Sequence, residues 1–328
     1  MTFRWGAFVP KEHRYLICGE PISTFIEGMD TGVLLAQELC RRHIPVCYCT
    51  LNEMDPRQSS TDYLAGLSTR EILSVDPGQS PAFELGPLKK SNVRDFDVIL
   101  QRKDPPVDDT YIAHAKHFAE APQSILQMNS PKASWRYSEH LLPQWFPEFS
   151  APTHLCENLI TFIDTVNRES GDSVAKPNHL FSGKGIEFFS SKTAKAELEK
   201  YWNTWGPNVV VQPYLKDIES VGDLRILTIG PRIVGSVLRK PKAGSRLANL
   251  HQGGSAHAFS PTPKQLNATR AITRRLNPLG LILLGIDFIG DLVTEINITC
   301  PSAVPQINQV MGIHGEAVIV DELEKLLG

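Results

Sequence analysis

Asp287, Glu295 and Asn297 stand inside an otherwise apolar stretch, LLGIDFIGDLVTEINITCP, residues 283–301. Alternation sends Ile286, Phe288, Ile296 and Ile298 to a core, so the three oxygen-bearing side chains share the other face of a hairpin. A two-residue turn at Gly290-Asp291 would pair Asp287 with Thr294 and push Glu295 onto the apolar face. A three-residue loop over 290–292 pairs Asp287 with Glu295 and keeps the apolar residues together. Carboxylates directly opposed in a sheet repel one another, and a cation between them removes the repulsion. Hard oxygen donors, an amide among them, suit Mg²⁺ or Mn²⁺ better than zinc. So few protein ligands fit an ion that takes its remaining oxygens from phosphates. The alternative is an acidic hairpin face in water.

Other residues point the same way. Lys176 precedes the FSGKG loop, with Gly183, Lys184 and Gly185, and backbone N–H groups of a glycine-bearing loop between strands can cradle phosphate oxygens. Arg225 and Arg239 lie on the two strands of one predicted hairpin, among apolar residues. A guanidinium on a half-buried strand needs an anion, carboxylate or phosphate. Arg232 and Lys240 have no such setting and read as solvated. The P-loop pattern GxxxxGK[ST] is missing. Arg102, Lys103 and Asp104 end the apolar run DVILQRKDPP, at the carboxyl end of a strand, where open α/β sheets bind ligands. A solvated strand end is the alternative there.

The elements that must position these groups follow from periodicity. RYLICGEP (14–21) reads as a strand, TGVLLAQELCRRH (31–43) as a helix and IPVCYCTL (44–51) as a strand, the order of an open α/β domain. A polar, poorly periodic region runs to about residue 92, before the strand at 97–106. A stretch with four prolines, 128–155, opens a second unit. Strand, loop and strand follow over 173–191, then a strand at 208–215 and a hairpin over 223–241 turned at Gly230-Pro231. A loop of small and polar residues (242–259), a helix (262–280), the opening hairpin and a closing helix (315–327) complete the chain. Its 328 residues exceed one small core, so two or three domains are expected.

Composition narrows the class. Apolar content of 41% and charge of 21% describe a soluble globular protein, and a net charge of −3 gives no reason to expect nucleic acid. No apolar stretch reaches the ~18 residues of a membrane span, and MTFRWGAFVPKEHRYLICGE lacks a signal-peptide pattern. Six cysteines form no paired motif, and CYC at 47–49 is too tight for a zinc knuckle. A reduced, cytoplasmic setting is expected.

The chain resembles the bacterial-type glutathione synthetases of the ATP-grasp ligase superfamily. The matching stretches are QRKDPPVDDTYI, VAKPN, VQPYL, GDLRILTIGPRIVGSVLRKP, ANLHQGG and GLILLGIDFIGDLVTEINITCPS, in the family's order. The resemblance implies an α/β (α+β) ATP-grasp fold in three domains, residues 1–126, a lid over 127–206 and a C-terminal domain over 207–328. ATP would lie between the lid and the last. It implies that Asp287, Glu295 and Asn297 bind two Mg²⁺ ions, and that Lys176 and the Gly183–Lys184–Gly185 loop hold the ATP phosphates. Gln212, Pro213, Tyr214 and Leu215 would form the hinge that reads adenine, with Asp223 near the ribose. Arg225 and Arg239 would sit at the reacting carboxylate and its acyl phosphate, with Asn249 of the mobile loop. Arg102, Lys103, Asp104, Gly253, Gly254, Pro301 and Ser302 would face the substrates. The implied activity is ADP-forming amide synthesis from a small carboxylate and an amine, in a homodimer or homotetramer.

Four departures bear on ATP binding and on substrate. His140, in WRYSEHLL, stands where the family has a second ATP lysine. His179 and Leu180 replace an Asp-Gly pair in KPNHLFSGKG. Leu247, beside Arg246, takes the place of a loop arginine, and CPSAVPQ puts Pro305 where an arginine is expected. That arginine would anchor a substrate carboxylate, and losing such a bond costs on the order of 2–4 kcal/mol, enough to change substrate choice. The expectation is a glutathione synthetase or a relative acting on another γ-glutamyl or peptide-like acid. A non-catalytic nucleotide-binding descendant is the alternative.

Overall fold

The computed structural model describes residues 13–26, 28, 30–50, 66–104, 106–178, 180, 183–242, 246, 248 and 254–328. The first sheet has seven strands. Its centre is β1 (Tyr15–Gly19), buried along its whole length, followed by α1 (Thr31–Arg41) and β2 (Val46–Thr50). Asp30 caps α1 by accepting the Val33 N–H. The predicted strand–helix–strand unit is therefore present, with β1 parallel to β2.

The region to residue 92 departs from the sequence reading. It contains β3 (Leu67–Val75), β4 (Phe83–Leu85) and β5 (Lys89–Ser91), antiparallel additions on the β2 edge. These strands lie half in water, and a register shift near Ile72 breaks the alternation that would have announced them. On the other side of β1 lie β6 (Val98–Arg102), α2 (Asp109–Ala119) and β7 (Leu126–Met128). The parallel β1–β6 pairing sets Arg102 beside Gly19 at the carboxyl end of the sheet.

After α3 (Pro131–Arg136) comes a four-stranded antiparallel sheet, ordered β10-β9-β11-β8. It is built from β8 (His154–Cys156), α4 (Leu159–Arg168), β9 (Ser173–Pro177), β10 (Glu187–Phe189), α5 (Lys195–Trp205) and β11 (Val209–Pro213). Ala175, Val209 and Val211 pack under Phe162, Val166, Leu198 and Tyr201 of the two helices. By alternation Lys176 and Gln212 occupy the opposite face.

The third sheet is ordered β14-β13-β12-β15-β16. After α6 (Asp217–Ser220) it comprises β12 (Asp223–Ile229), β13 (Arg232–Lys240), β14 (Ser255–His257), α7 (Pro263–Leu276), β15 (Leu283–Ile289) and β16 (Leu292–Asn297). One face packs Leu224, Ile226, Ile286, Phe288 and Ile296 on α7 and on Leu142 and Phe146. The other face is divided. Its far half, Leu227, Ile229 and Val237, lies against α8 (Val304–Met311) and α9 (Gly315–Leu327), in one core with Leu35, Leu39 and Leu100 of the first sheet. Its near half carries Asp223, Arg225, Arg239 and Asp287. The chain thus buries half a sheet face to hold the other half open.

Candidate active site

A cavity of about 340 Å³ lies where the three sheets meet. Its walls include Lys176, Gly183, Lys184, Arg225, Arg239, Asp287, Glu295 and Asn297, brought together from β9, the loop after it, and four strands of the third sheet. The cross-strand register pairs Arg225 with Asp287 and Asp287 with Glu295.

The hairpin reaches that register by a route the sequence reading did not weigh. Ile289 pairs with Leu292 across a two-residue turn at Gly290-Asp291, and a bulge between Asp287 and Phe288 restores the Asp287–Glu295 pairing. Thr294 is the extra residue. The bulge leaves its carbonyl free to accept the Gln212 Nε2 at 3.1 Å, and Gln212 also donates to Thr153 Oγ1 at 2.9 Å. One side chain thereby bolts the second sheet to the carboxylate hairpin.

Arginines meet Asp287. Arg225 makes a two-pronged contact, Nε to Oδ1 at 2.7 Å and Nη2 to Oδ2 at 2.6 Å, and Arg239 adds Nη2 to Oδ2 at 2.9 Å. Gly285 makes room for this: a Cβ there would stand 3.5 Å from Arg225 Nε. The anion that the two arginines were expected to need is, in part, Asp287 itself. Burial alone would raise the Asp287 carboxyl, but the two guanidiniums outweigh it and hold it well below the usual carboxylate range.

Asp223 shares Arg239, at 2.5 Å, and has no second guanidinium bond. Burial therefore wins and pushes it up to about 6, against the pull of Arg239. A carboxyl raised on folding stabilises the fold most below its unfolded value, and that contribution fades as pH rises through the folded value. Asp287, held low in the fold, is ionised in both states above about pH 5 and affects stability only below that. Asp223 is therefore expected to contribute a fall of on the order of 2–3 kcal/mol in the unfolding free energy of metal-free protein between about pH 4 and 7, set against the rise that buried His114, pushed down to about 3, brings over the same range. Asp223→Asn should lack that fall in denaturant titrations at the two ends.

Among the described residues no group of three or more His, Cys, Asp or Glu side chains is arranged to hold a metal ion. The donor set is instead two carboxylates and an amide, and it fits a hard cation that completes its shell from a ligand. Asn297 spends its Nδ2 on Gly285 O and Asp287 Oδ2, which leaves its oxygen as the ligating atom. Asp287 Oδ1 accepts from Arg225 alone and keeps a lone pair. Glu295 has no guanidinium partner among the described residues; its nearest charge-bearing neighbour is His140 Nδ1, 3.7 Å away. Burial pushes the His140 imidazole down, partly opposed by Glu295, so it meets the cavity as the neutral form.

Lys176 is buried, lines the cavity and makes no ion pair among the described residues. Gly183 and Lys184 share that wall. Gly185 does not: with φ +70° it turns the chain, and a Cβ there would lie 2.7 Å from Pro177 Cγ. Gly185→Ala should cost about 1–2 kcal/mol from the backbone conformation alone and displace the loop. The expected readout is a lower melting temperature with a raised KM for nucleotide.

Gln212 to Leu215 line the far end, with Val174, Phe188, Ile218 and Arg246. At the near end Arg102, Asp104 and Ser302 line the wall, whereas Lys103, Gly254 and Pro301 do not. Lys103 turns to Glu20 at 2.5 Å, and Pro301 contributes its carbonyl to Arg102. Asn249 and Gly253, with Leu247 and His179, lie outside the described residues. Cys300 lines the wall, but burial raises its thiol well above the ordinary value, so it stays protonated.

Sequence reasoning missed Glu139. It is half-buried, lines the cavity, and accepts the Ile298 N–H, the Thr299 N–H and the Thr299 hydroxyl at 2.7, 2.7 and 2.8 Å. These bonds fix the strand end that carries Asn297. Arg246, named from the sequence only as the neighbour of Leu247, stacks on Tyr214 and Phe188, 4.9 and 5.2 Å from their ring centres, and pairs with Asp172 at 3.1 Å.

Comparisons with known proteins identify the family and the fold. Residues 14–134 match the family described as "Prokaryotic glutathione synthetase, N-terminal domain", and residues 139–312 its "ATP-grasp domain". The glutathione synthetase of Parasynechococcus marenigrum is 30% identical over 302 residues, 91% of this chain and 94% of that one. That of Buchnera aphidicola is 27% identical over 300 residues, 90% and 91% of the two chains. Among solved structures, D-cycloserine synthetase DcsG superposes with TM-score 0.66 at 14% identity, covering 96% of this chain and all of that one. D-alanyl-alanine synthetase A from Vibrio cholerae gives 0.60 at 12% identity, over 97% and 99%. Both show the ATP-grasp fold. Matched across both of its domains, this chain belongs to the prokaryotic glutathione synthetase family and is an ATP-dependent ligase that forms carbon–nitrogen amide bonds.

Proposed function

We propose that the cavity activates a γ-glutamyl or peptide-like carboxylate with ATP and passes the acyl group to an amine, releasing ADP and phosphate. The observation that supports this best is a single cavity lined by Lys176, which makes no ion pair among the described residues, together with Asp287, Glu295 and Asn297, backed by Arg225 and Arg239. Lys176 and the Gly183–Lys184 segment hold the phosphates, and the segment from Gln212 to Leu215 contacts the base, with Asp223 near the ribose. Divalent metal, two Mg²⁺ ions or Mn²⁺ in their place, would be held by Asp287, Glu295 and Asn297 and would neutralise phosphate charge. Arg225 and Arg239 are fixed in advance by Asp287, so they stabilise charge on the acyl phosphate without reorganising. Asn249, which lies outside the described residues, is assigned to the acyl phosphate with them, and water must be kept from that intermediate because an acyl phosphate exposed to water hydrolyses.

The division into 1–126, 127–206 and 207–328 is part of the same proposal, as are a cytoplasmic location and a homodimer or homotetramer. The test is Mg²⁺-dependent ADP release with γ-glutamylcysteine, with and without glycine, then with a panel of amino acids and dipeptides. Turnover requiring both partners supports glutathione synthesis, and turnover elsewhere in the panel a re-targeted ligase. ATP binding with no turnover anywhere would overturn the proposal.

A further inference from the structure

The cavity is deepest where Asp287, Arg225 and Arg239 meet and shallowest at the end proposed for the base. Those three are buried or nearly so, whereas Arg246, which lines the base end with Phe188 and Tyr214, keeps 44% of its side chain exposed. Arg246 thus stands at a mouth of the cavity. We infer that Arg246 bars this mouth and sets how fast nucleotide enters and leaves, not how tightly it is held; this rests on the ligase reading above.

Arg246 follows β13 of the third sheet, yet its partners belong to the second. Nη1 donates to Oδ2 of Asp172, which precedes β9, at 3.1 Å, and the guanidinium lies over the rings of Phe188 on β10 and Tyr214 after β11. Those partners are themselves fixed. The Tyr214 N–H donates to Asp172 O at 2.7 Å, its hydroxyl donates to Glu219 Oε1 at 2.6 Å, and Phe188 meets its ring edge-on at 5.4 Å. The contact therefore ties the two sheets together at the opening through groups of the protein alone. Lys176, by contrast, is buried and makes no ion pair among the described residues, the setting of a cation that waits for an anion. A guanidinium committed to a carboxylate and two rings gives up those contacts when a nucleotide passes in either direction, and regains them afterwards. An interaction made equally in free and bound protein cancels from the equilibrium and remains in both rate constants.

The test separates rates from affinity. Stopped-flow mixing with Mg·mant-ADP, a fluorescent ADP, and a chase with unlabelled ADP give both rate constants, and calorimetry with Mg·ADP gives the Kd. Arg246→Ala is expected to raise association and release alike by about tenfold, the scale of an exposed ion pair with two cation–π contacts, and to leave Kd within about twofold. Asp172→Asn, which keeps the ring contacts, is expected to raise both by about two- to threefold. Faster release at an unchanged association rate, and so a weaker Kd, would overturn the inference, because Arg246 would then contact the nucleotide itself. Unchanged rates in both variants would also overturn it, a result that leaves the ligase reading standing. Failure of Mg·ADP to bind the unmodified protein would overturn the ligase reading and the inference with it.

Discussion

Glu295→Gln is expected to lower Mg²⁺-dependent ADP release by about 10²–10³-fold while leaving the melting temperature nearly unchanged. Asp287→Asn is expected to lose activity and stability together. The two carboxylates face each other across one hairpin, yet their surroundings differ. Glu295 keeps 23% of its side chain exposed and, among the described residues, its one charged-pair neighbour is the neutral His140 imidazole at 3.7 Å, so an isosteric amide removes charge from the cavity and little from the fold. Asp287 is 6% exposed and is the shared counter-ion of two arginines. Neutralising it leaves guanidinium charge uncompensated indoors, a loss of about 3–5 kcal/mol for a broken buried pair. Thermal melts alongside ADP assays separate the two outcomes. Equal destabilisation by both variants would mean that Glu295 is a structural acid, and unchanged turnover in Glu295→Gln would remove the metal assignment.

The sequence carried much of this site because its parts lie on strands. Period-two alternation places Asp287, Glu295 and Asn297 on one face without any knowledge of the fold, and it sets Arg225 and Arg239 on paired strands. Register was harder. The turn length and the bulge at Thr294 compensate one another, so the correct Asp287–Glu295 pairing could be reached from the wrong loop. Who meets whom across the third sheet was not legible, because β12 lies between β13 and β15 and local pattern says nothing of sheet order. For the same reason Asp287 could be read as a carboxylate in search of a cation when two guanidiniums already held it. Glu139 left no trace at all: its three donors come from residues 298 and 299, far along the chain. At Arg102 the strand-end rule found the right place, but the partners, Pro301 and Ser302, were a matter of packing between units.

Lys176→Met is expected to move stability and activity in opposite directions. A lysine on β9 that reaches the cavity with 8% exposure and no carboxylate partner among the described residues carries a desolvation cost that is offset only when an anionic ligand binds. Methionine keeps the stem and drops the charge. Ligand-free protein should therefore gain on the order of 1 kcal/mol, a rise of a few degrees in the melting temperature. The same change removes the ammonium from the place proposed for phosphate, so kcat/KM for ATP should fall by about 10²-fold, the scale of a lost charge-assisted bond. Added Mg·ADP should then stabilise the unmodified protein more than the variant, reversing their order of melting. A solvated surface lysine would give neither shift, and a lysine needed for folding would lower both quantities. Only a charge held out of water for an anionic ligand raises one while lowering the other, and that opposition is what distinguishes a binding lysine from a structural one on this strand.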